Sequence, residues 1–238
     1  MLSKIFFWIE DRKGKASYIF WETLLKQLCP NAIVESKKNN SELVKAVKEL
    51  SDEENKYIIV FDNSFDNFQL YKEQKILKKY VDMKNNVQMI DIICFEYILL
   101  EFDKLIKWIY APNDEFLKKR ANVINAREKL IESIKSGDFD YKSIREIIEY
   151  DAHLENHNIE QLSAKMLFDL TRNTGFEVSK GCIGECRITF CCNWSVREDN
   201  DICGLDYNYL SVADKMKHIF YGTSLKEEFK KVGLEIIE

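Results

Sequence analysis

Turn-forming residues are scarce in this chain: 8 glycines and 2 prolines in 238 residues. That scarcity excludes a collagen-like repeat, long flexible linkers and a loop-rich secreted fold. Histidines number only three. His153 and His157 stand four apart among polar neighbours, as at a solvated helix end. No Ser-His-Asp order, phosphate-binding loop or dinucleotide glycine pattern is present, so those three chemistries have no carrier. Long apolar runs are missing as well. The most apolar later stretch, 89–100, contains Asp91 and Glu96, which rules it out as a membrane span. The apolar start is broken by Glu10 before any cleavage region, so a signal peptide is not expected. Positive charge is not in excess either: the net charge is −5. Nucleic acid would therefore have to be met by a local basic patch.

What is present is enough for a sizeable core. Hydrophobic residues make up 46% and charged residues 32%, the balance of a globular protein rather than a disordered one. The seven cysteines are an odd number in a chain of ordinary enzyme size. They point to a reduced cytoplasmic protein with free or metal-bound thiols, not to a disulfide scaffold.

Apolar runs and helical stripes alternate in the first half. Strands are expected at 5–9, 32–34, 57–61 and 87–93, and helices at 16–28, 41–50, 68–81 and 95–110. Such alternation calls for right-handed crossovers and an α/β fold with a mostly parallel sheet and helices on both faces. Beyond Pro112 no strand alternates with the helices expected at 114–136, 140–155, 160–173 and 207–221. A boundary is placed there: an α/β domain over 1–111, then a largely helical region over 112–238. The latter includes a small cysteine-rich lobe at about 176–205.

Two strand ends are acidic. Glu10-Asp11 closes Ile5-Phe6-Phe7-Trp8-Ile9, and Asp62 closes Tyr57-Ile58-Ile59-Val60-Phe61. Ligands of parallel sheets gather beyond the strands' carboxyl ends. If the two strands are neighbours, Glu10 and Asp62 can share one Mg²⁺ or Mn²⁺, with Asp66 completing the site from the following loop. Such an ion supports metal-assisted phosphodiester hydrolysis. Lys13 and Lys15 would hold phosphates of a nucleic acid beside it.

The stretch Ile9-Glu10-Asp11-Arg12-Lys13-Gly14-Lys15-Ala16 resembles the first signature of the Toprim domain. That domain is the metal-binding core of type IA topoisomerases, bacterial primases and several nucleases. Its signature is a strand ending in Glu, a loop that often carries Gly, and a helix. Asp62 takes the place of the first Asp of the family's Asp-x-Asp strand, while Ser64 stands in the place of the second. The later Glu of the topoisomerase pattern has no counterpart. The resemblance covers about residues 2–110. It implies metal held by Glu10, Asp62 and Asp66, with Glu10 as ligand or general acid/base. For a stand-alone domain it also implies a small nuclease of RNA processing or phage defence. Response-regulator receiver domains are similar too, with an acidic pair after the first strand and an Asp after the third, here Asp11 and Asp62. The alternative to a nuclease is thus a non-catalytic interaction or regulatory module that meets a protein partner, and Ser64 favours it.

Five cysteines cluster at 182–203. Cys182, Cys186, one of the pair Cys191 and Cys192, and Cys203 supply enough thiolates for a closed, structural Zn²⁺ site. The spacing is not that of a common zinc ribbon. The other reading is a β-rich segment in which the thiols are small apolar side chains.

Overall fold

The computed structural model describes residues 3–63, 65–110, 113, 115–138, 142–147, 159–172, 174, 176–179, 182–185, 212–234 and 236. The first half runs β1 (Ile5–Ile9), α1 (Ala16–Leu28), β2 (Ala32–Ser36), α2 (Asn40–Glu49), β3 (Lys56–Asp62), α3 (Phe68–Asp82) and β4 (Val87–Ile92). The four strands are all parallel, in the order β2-β1-β3-β4. Central β1 and β3 are the two most continuous apolar runs, as strands covered on both faces must be.

Side chains alternate across the pleat. Phe7, Ile9, Ile58, Val60, Ile90 and Ile92 face the core that α1 closes. Trp8, Tyr57, Ile59, Phe61 and Val87 face Leu43 and Val47 of α2 and Leu77 and Val81 of α3. The chain leaves β1 toward β2 on one side and then returns past β1 to β3. Right-handed crossovers therefore put α1 on one face and α2 and α3 on the other. The point where direction reverses lies between β1 and β3. It is the switch point of the 2-1-3-4 order, which is also the start of the flavodoxin-like order 2-1-3-4-5.

The chain continues as α4 (Phe95–Glu101), α5 (Leu105–Ile109), α6 (Glu115–Lys119), α7 (Ala121–Ser136), α8 (Lys142–Ile147) and α9 (Ile159–Thr171). An antiparallel hairpin of β5 (Glu177–Ser179) and β6 (Cys182–Glu185) follows, then α10 (Val212–Tyr221) and α11 (Leu225–Lys231). These elements build onto the α1 face. Phe7 and Phe20 share one buried cluster with Leu99, Leu130, Leu162, Met166, Ile219 and Phe229. The pattern of elements changes after residue 112, and the hydrophobic core runs across that change. Edge strand β4 is covered: its Asp91 N–H donates to the Glu228 carboxylate at 3.1 Å, which blunts an otherwise open edge.

Two expected helices are broken. The helix expected at 95–110 divides into α4 and α5. Buried Arg127 donates from Nε to the Leu100 carbonyl at 2.6 Å and from its terminal nitrogen to the Phe102 carbonyl at 2.9 Å. It thereby satisfies α4's orphan carbonyls without a continuing helix. The helix expected at 114–136 divides at Arg120, whose buried guanidinium reaches the Leu170 carbonyl in the last turn of α9 and the Arg172 carbonyl just after it. The cap of α2 is Asn39, whose side chain accepts from Glu42 N–H at 2.9 Å. Gly137 ends α7, with φ of +75°.

Candidate acidic cleft

Ile9 of β1 pairs with Val60 of β3, so Glu10 and Asp62 emerge at the same carboxyl edge of adjacent strands. They open into a cleft of about 400 Å³ at the switch point. Asp11, Glu96 at the start of α4 and Glu160 at the start of α9 add three more carboxyls, and Lys15 is the lysine on its wall. The rest of the lining is largely apolar: Phe95, Leu167, Phe168 and Val178.

The loop between β1 and α1 is held firmly. Ser17 Oγ donates to the Asp11 carboxylate, and Ser36 Oγ donates to the Asp11 carbonyl at 2.6 Å. Gly14 turns the loop at φ +84°, a left-handed value that favours glycine. Lys15 is thereby set on the cleft wall, whereas Lys13 is exposed.

Burial and mutual repulsion raise the carboxyl pKa values in this cleft. Glu10 is raised by burial first, then by Asp11, Glu160, Glu96 and Glu73. Asp62 is raised by burial, then by Glu10, Glu96, Glu160 and Asp11. Burial is also the main cause for Glu96, which is pushed up to about 7 with help from Glu160 and Asp11. A backbone N–H and the Cys94 thiol pull Glu96 the other way. Glu10 Oε2 is buried with no hydrogen-bond partner. An unpaired carboxylate oxygen of this kind is expensive unless it is protonated or meets a cation.

Asp66 stands apart from this group. Its carboxylate accepts the Ile159 N–H at 2.9 Å and so caps α9. Burial raises its pKa, while that N–H and Arg145 lower it. Ser64 lies outside the described residues, as do Cys186, Cys191, Cys192 and Cys203; Cys182 begins β6. Among the described residues no group of three or more His, Cys, Asp or Glu side chains has metal-holding geometry. No helix among them is long and apolar enough to cross a membrane. Cys29 and Cys94 carry free thiols, both raised in pKa chiefly by burial.

Sequence reading missed Glu96 and Glu160. Glu96 had a visible signal, a carboxylate in the most apolar stretch of the second quarter, but there it served only to exclude a membrane span.

Set against known protein families, curated proteins and solved structures, the chain matches none of them significantly. Fold and site together define a doubly wound α/β protein with an acidic cleft at its switch point.

Proposed function

We propose that the cleft binds Mg²⁺ or Mn²⁺ and that the protein is a Toprim-like nuclease cleaving phosphodiesters of nucleic acid. The observation that carries this reading is the buried, unpartnered Glu10 Oε2 among mutually repelling carboxyls. The donor set is all oxygen, which suits a hard cation. Glu10 and Asp62, at the tips of adjacent strands, would hold the ion with waters filling its shell, and the Glu96 and Glu160 carboxyls stand beside them on the cleft wall; Asp66 is left to its helix cap. Bound there, the ion supplies charge stabilisation on the phosphoryl oxygens and an activated water.

The chain's own groups fit the remaining tasks. With its pKa near 7, Glu96 can hold or release a proton at neutral pH, as general acid–base work requires. Lys15 on the wall suits a phosphate oxygen. Phe168, 38% exposed on that wall, offers a ring face to a base, which a simple phosphate ester would not use. The cellular setting proposed is the cytoplasm, in RNA processing or phage defence, with a structural Zn²⁺ in the cysteine lobe.

The test is cleavage of labelled DNA and RNA with Mg²⁺ or Mn²⁺ by the wild type and by Glu10→Ala and Asp62→Asn. Metal-dependent cutting lost in both variants is expected. Unchanged cutting by Glu10→Ala would remove the cleft from the chemistry. A regulatory module is the second reading, favoured by the 2-1-3-4 strand order that receiver domains share. Stabilisation by metal with no cutting of any substrate would select it.

A further inference from the structure

We infer that the outer face of α3 is a track for single-stranded nucleic acid; the inference rests on the nuclease reading and deepens it. Six large apolar side chains are exposed among the described residues, and four belong to α3 or its C-cap. These are Phe68 at 71%, Tyr71 at 42%, Ile76 at 48% and Met83 at 71% exposure. They lie on the half of the helix turned away from buried Leu77 and Val81. A concentration of apolar surface such as this marks a contact site rather than scattered exposure.

Lysines are threaded between them. Lys72 Nζ lies 4.1 Å from the Phe68 ring centre, and Lys75 Nζ lies 4.5 Å from that of Tyr71. Lys79 continues the row one turn on. Lys78 is engaged by Asp91 at 3.5 Å, which leaves three lysines for a partner. In a chain of net charge −5, a basic row of this kind selects a polyanion. A second copy of the same face is disfavoured, because lysine would meet lysine. Exposed aromatic planes beside the cations select bases as well as phosphates, the combination by which single strands are held. A duplex keeps its base faces inside the stack, so the strand must be single.

The face also lies on the route to the cleft. Asp66 bonds to the Ile159 backbone, next to Glu160 of the cleft wall, and Phe68 opens α3 just two residues after Asp66. Glu73 in the second turn of α3 is close enough to Glu10 to raise its pKa. From Phe68 to Asp82 the 15 residues of α3 extend for roughly 22 Å along the sheet.

Binding is measured by fluorescence anisotropy in EDTA, so that nothing is cut. The probes are a labelled oligothymidylate of about twenty nucleotides and its duplex with oligoadenylate. Tighter binding of the single strand is expected. The combined variant Lys72→Gln, Lys75→Gln, Lys79→Gln should make the salt dependence shallower by about 2 in log–log slope. The double variant Phe68→Ala, Tyr71→Ala should weaken binding by about tenfold or more at nearly unchanged slope. All five side chains are exposed, and unchanged melting would confirm that the fold is kept. Equal binding of strand and duplex, or full binding by both variants, overturns the track. So does uptake by anionic lipid vesicles through these residues without oligonucleotide binding, and so does a change of oligomeric state in their place. Wild-type cutting with unaltered binding in the α3 variants would sink the track alone. Specific single-strand binding with no cutting under any metal would sink the nuclease alone.

Discussion

Replacing Glu96 by Gln should stabilise the metal-free protein, and only above a definite pH. Burial at the start of α4 carries this carboxyl from its ordinary 4.5 to about 7. The folded protein therefore holds the proton more tightly than the unfolded chain does. For an acid raised in this way, the stabilising contribution is complete below pH about 4.5 and is lost as pH rises through about 7. At pH 8 the ionised carboxylate costs at most about 3 kcal/mol relative to the unfolded chain. Because the side chain is only half-buried, screening reduces this to about 1–2 kcal/mol. Gln keeps the shape and cannot ionise.

Urea denaturation of wild type and Glu96→Gln in EDTA at pH 5 and pH 8 measures the effect. The variant is expected to gain about 1–2 kcal/mol at pH 8, a melting shift of roughly 2–8 °C for a chain of this size. At pH 5, where the wild type is largely protonated, the gain should be much smaller. Millimolar Mg²⁺ should reverse the ranking at pH 8, because the wild type then gains a ligand that the variant holds less well. An equal gain at both pH values would mean that Glu96 ionises in its ordinary range. The crowded-carboxylate account of the cleft would then fail.

Asp66→Ala removes the cap of α9 and should cost about 1 kcal/mol, leaving the response to Mg²⁺ intact; a lost metal response in thermal melts would make Asp66 a ligand after all. Arg127→Met strips the Leu100 and Phe102 carbonyls of their buried donor and should cost about 2–4 kcal/mol in urea. A loss under about 0.5 kcal/mol, the scale of an ordinary surface change, would show that water replaces the guanidinium. Gly14→Ala meets no atom within 4 Å, so its cost should be backbone strain alone, about 1–2 kcal/mol. Gly14→Asn should recover part of that, and equal stability of all three proteins would deny the left-handed turn.

Where local pattern and tertiary demand agree, the fold was legible. Tyr57 to Phe61 has one physical solution, a strand buried on both faces, and the crossovers between such strands leave little freedom for handedness. The reading failed where a distant group decides. Nothing near 102–104 announces that Arg127, a full helix away, will take the carbonyls of α4. Nothing near 120 shows that the arginine there will reach across to α9. Buried arginines that serve remote helix ends are tertiary facts, and periodicity carries no trace of them.

The site divides along the same line. Glu10 and Asp62 could be read because each closes a strand, and a strand's end is fixed by its own residues. Whether the strands are neighbours depends only on the return crossover. Asp66 is close to Asp62 in sequence, which made it look like a third ligand, yet proximity along a loop says nothing of what the loop meets. Here it meets the N-terminal end of α9, where it accepts the Ile159 N–H, and such an end attracts a carboxylate. Glu96 and Asp91 show the limit most clearly, since both interrupt the same apolar stretch. Asp91 ends on an edge strand and accepts from Asn63, Gln74 and Lys78, whereas Glu96 turns into the cleft among other carboxyls. A charge within an apolar run is a reliable sign that something polar awaits it. Only the sheet order tells a structural partner from an unmet one, and among these carboxylates the unmet oxygen belongs to Glu10. That oxygen is where a cation would be felt first.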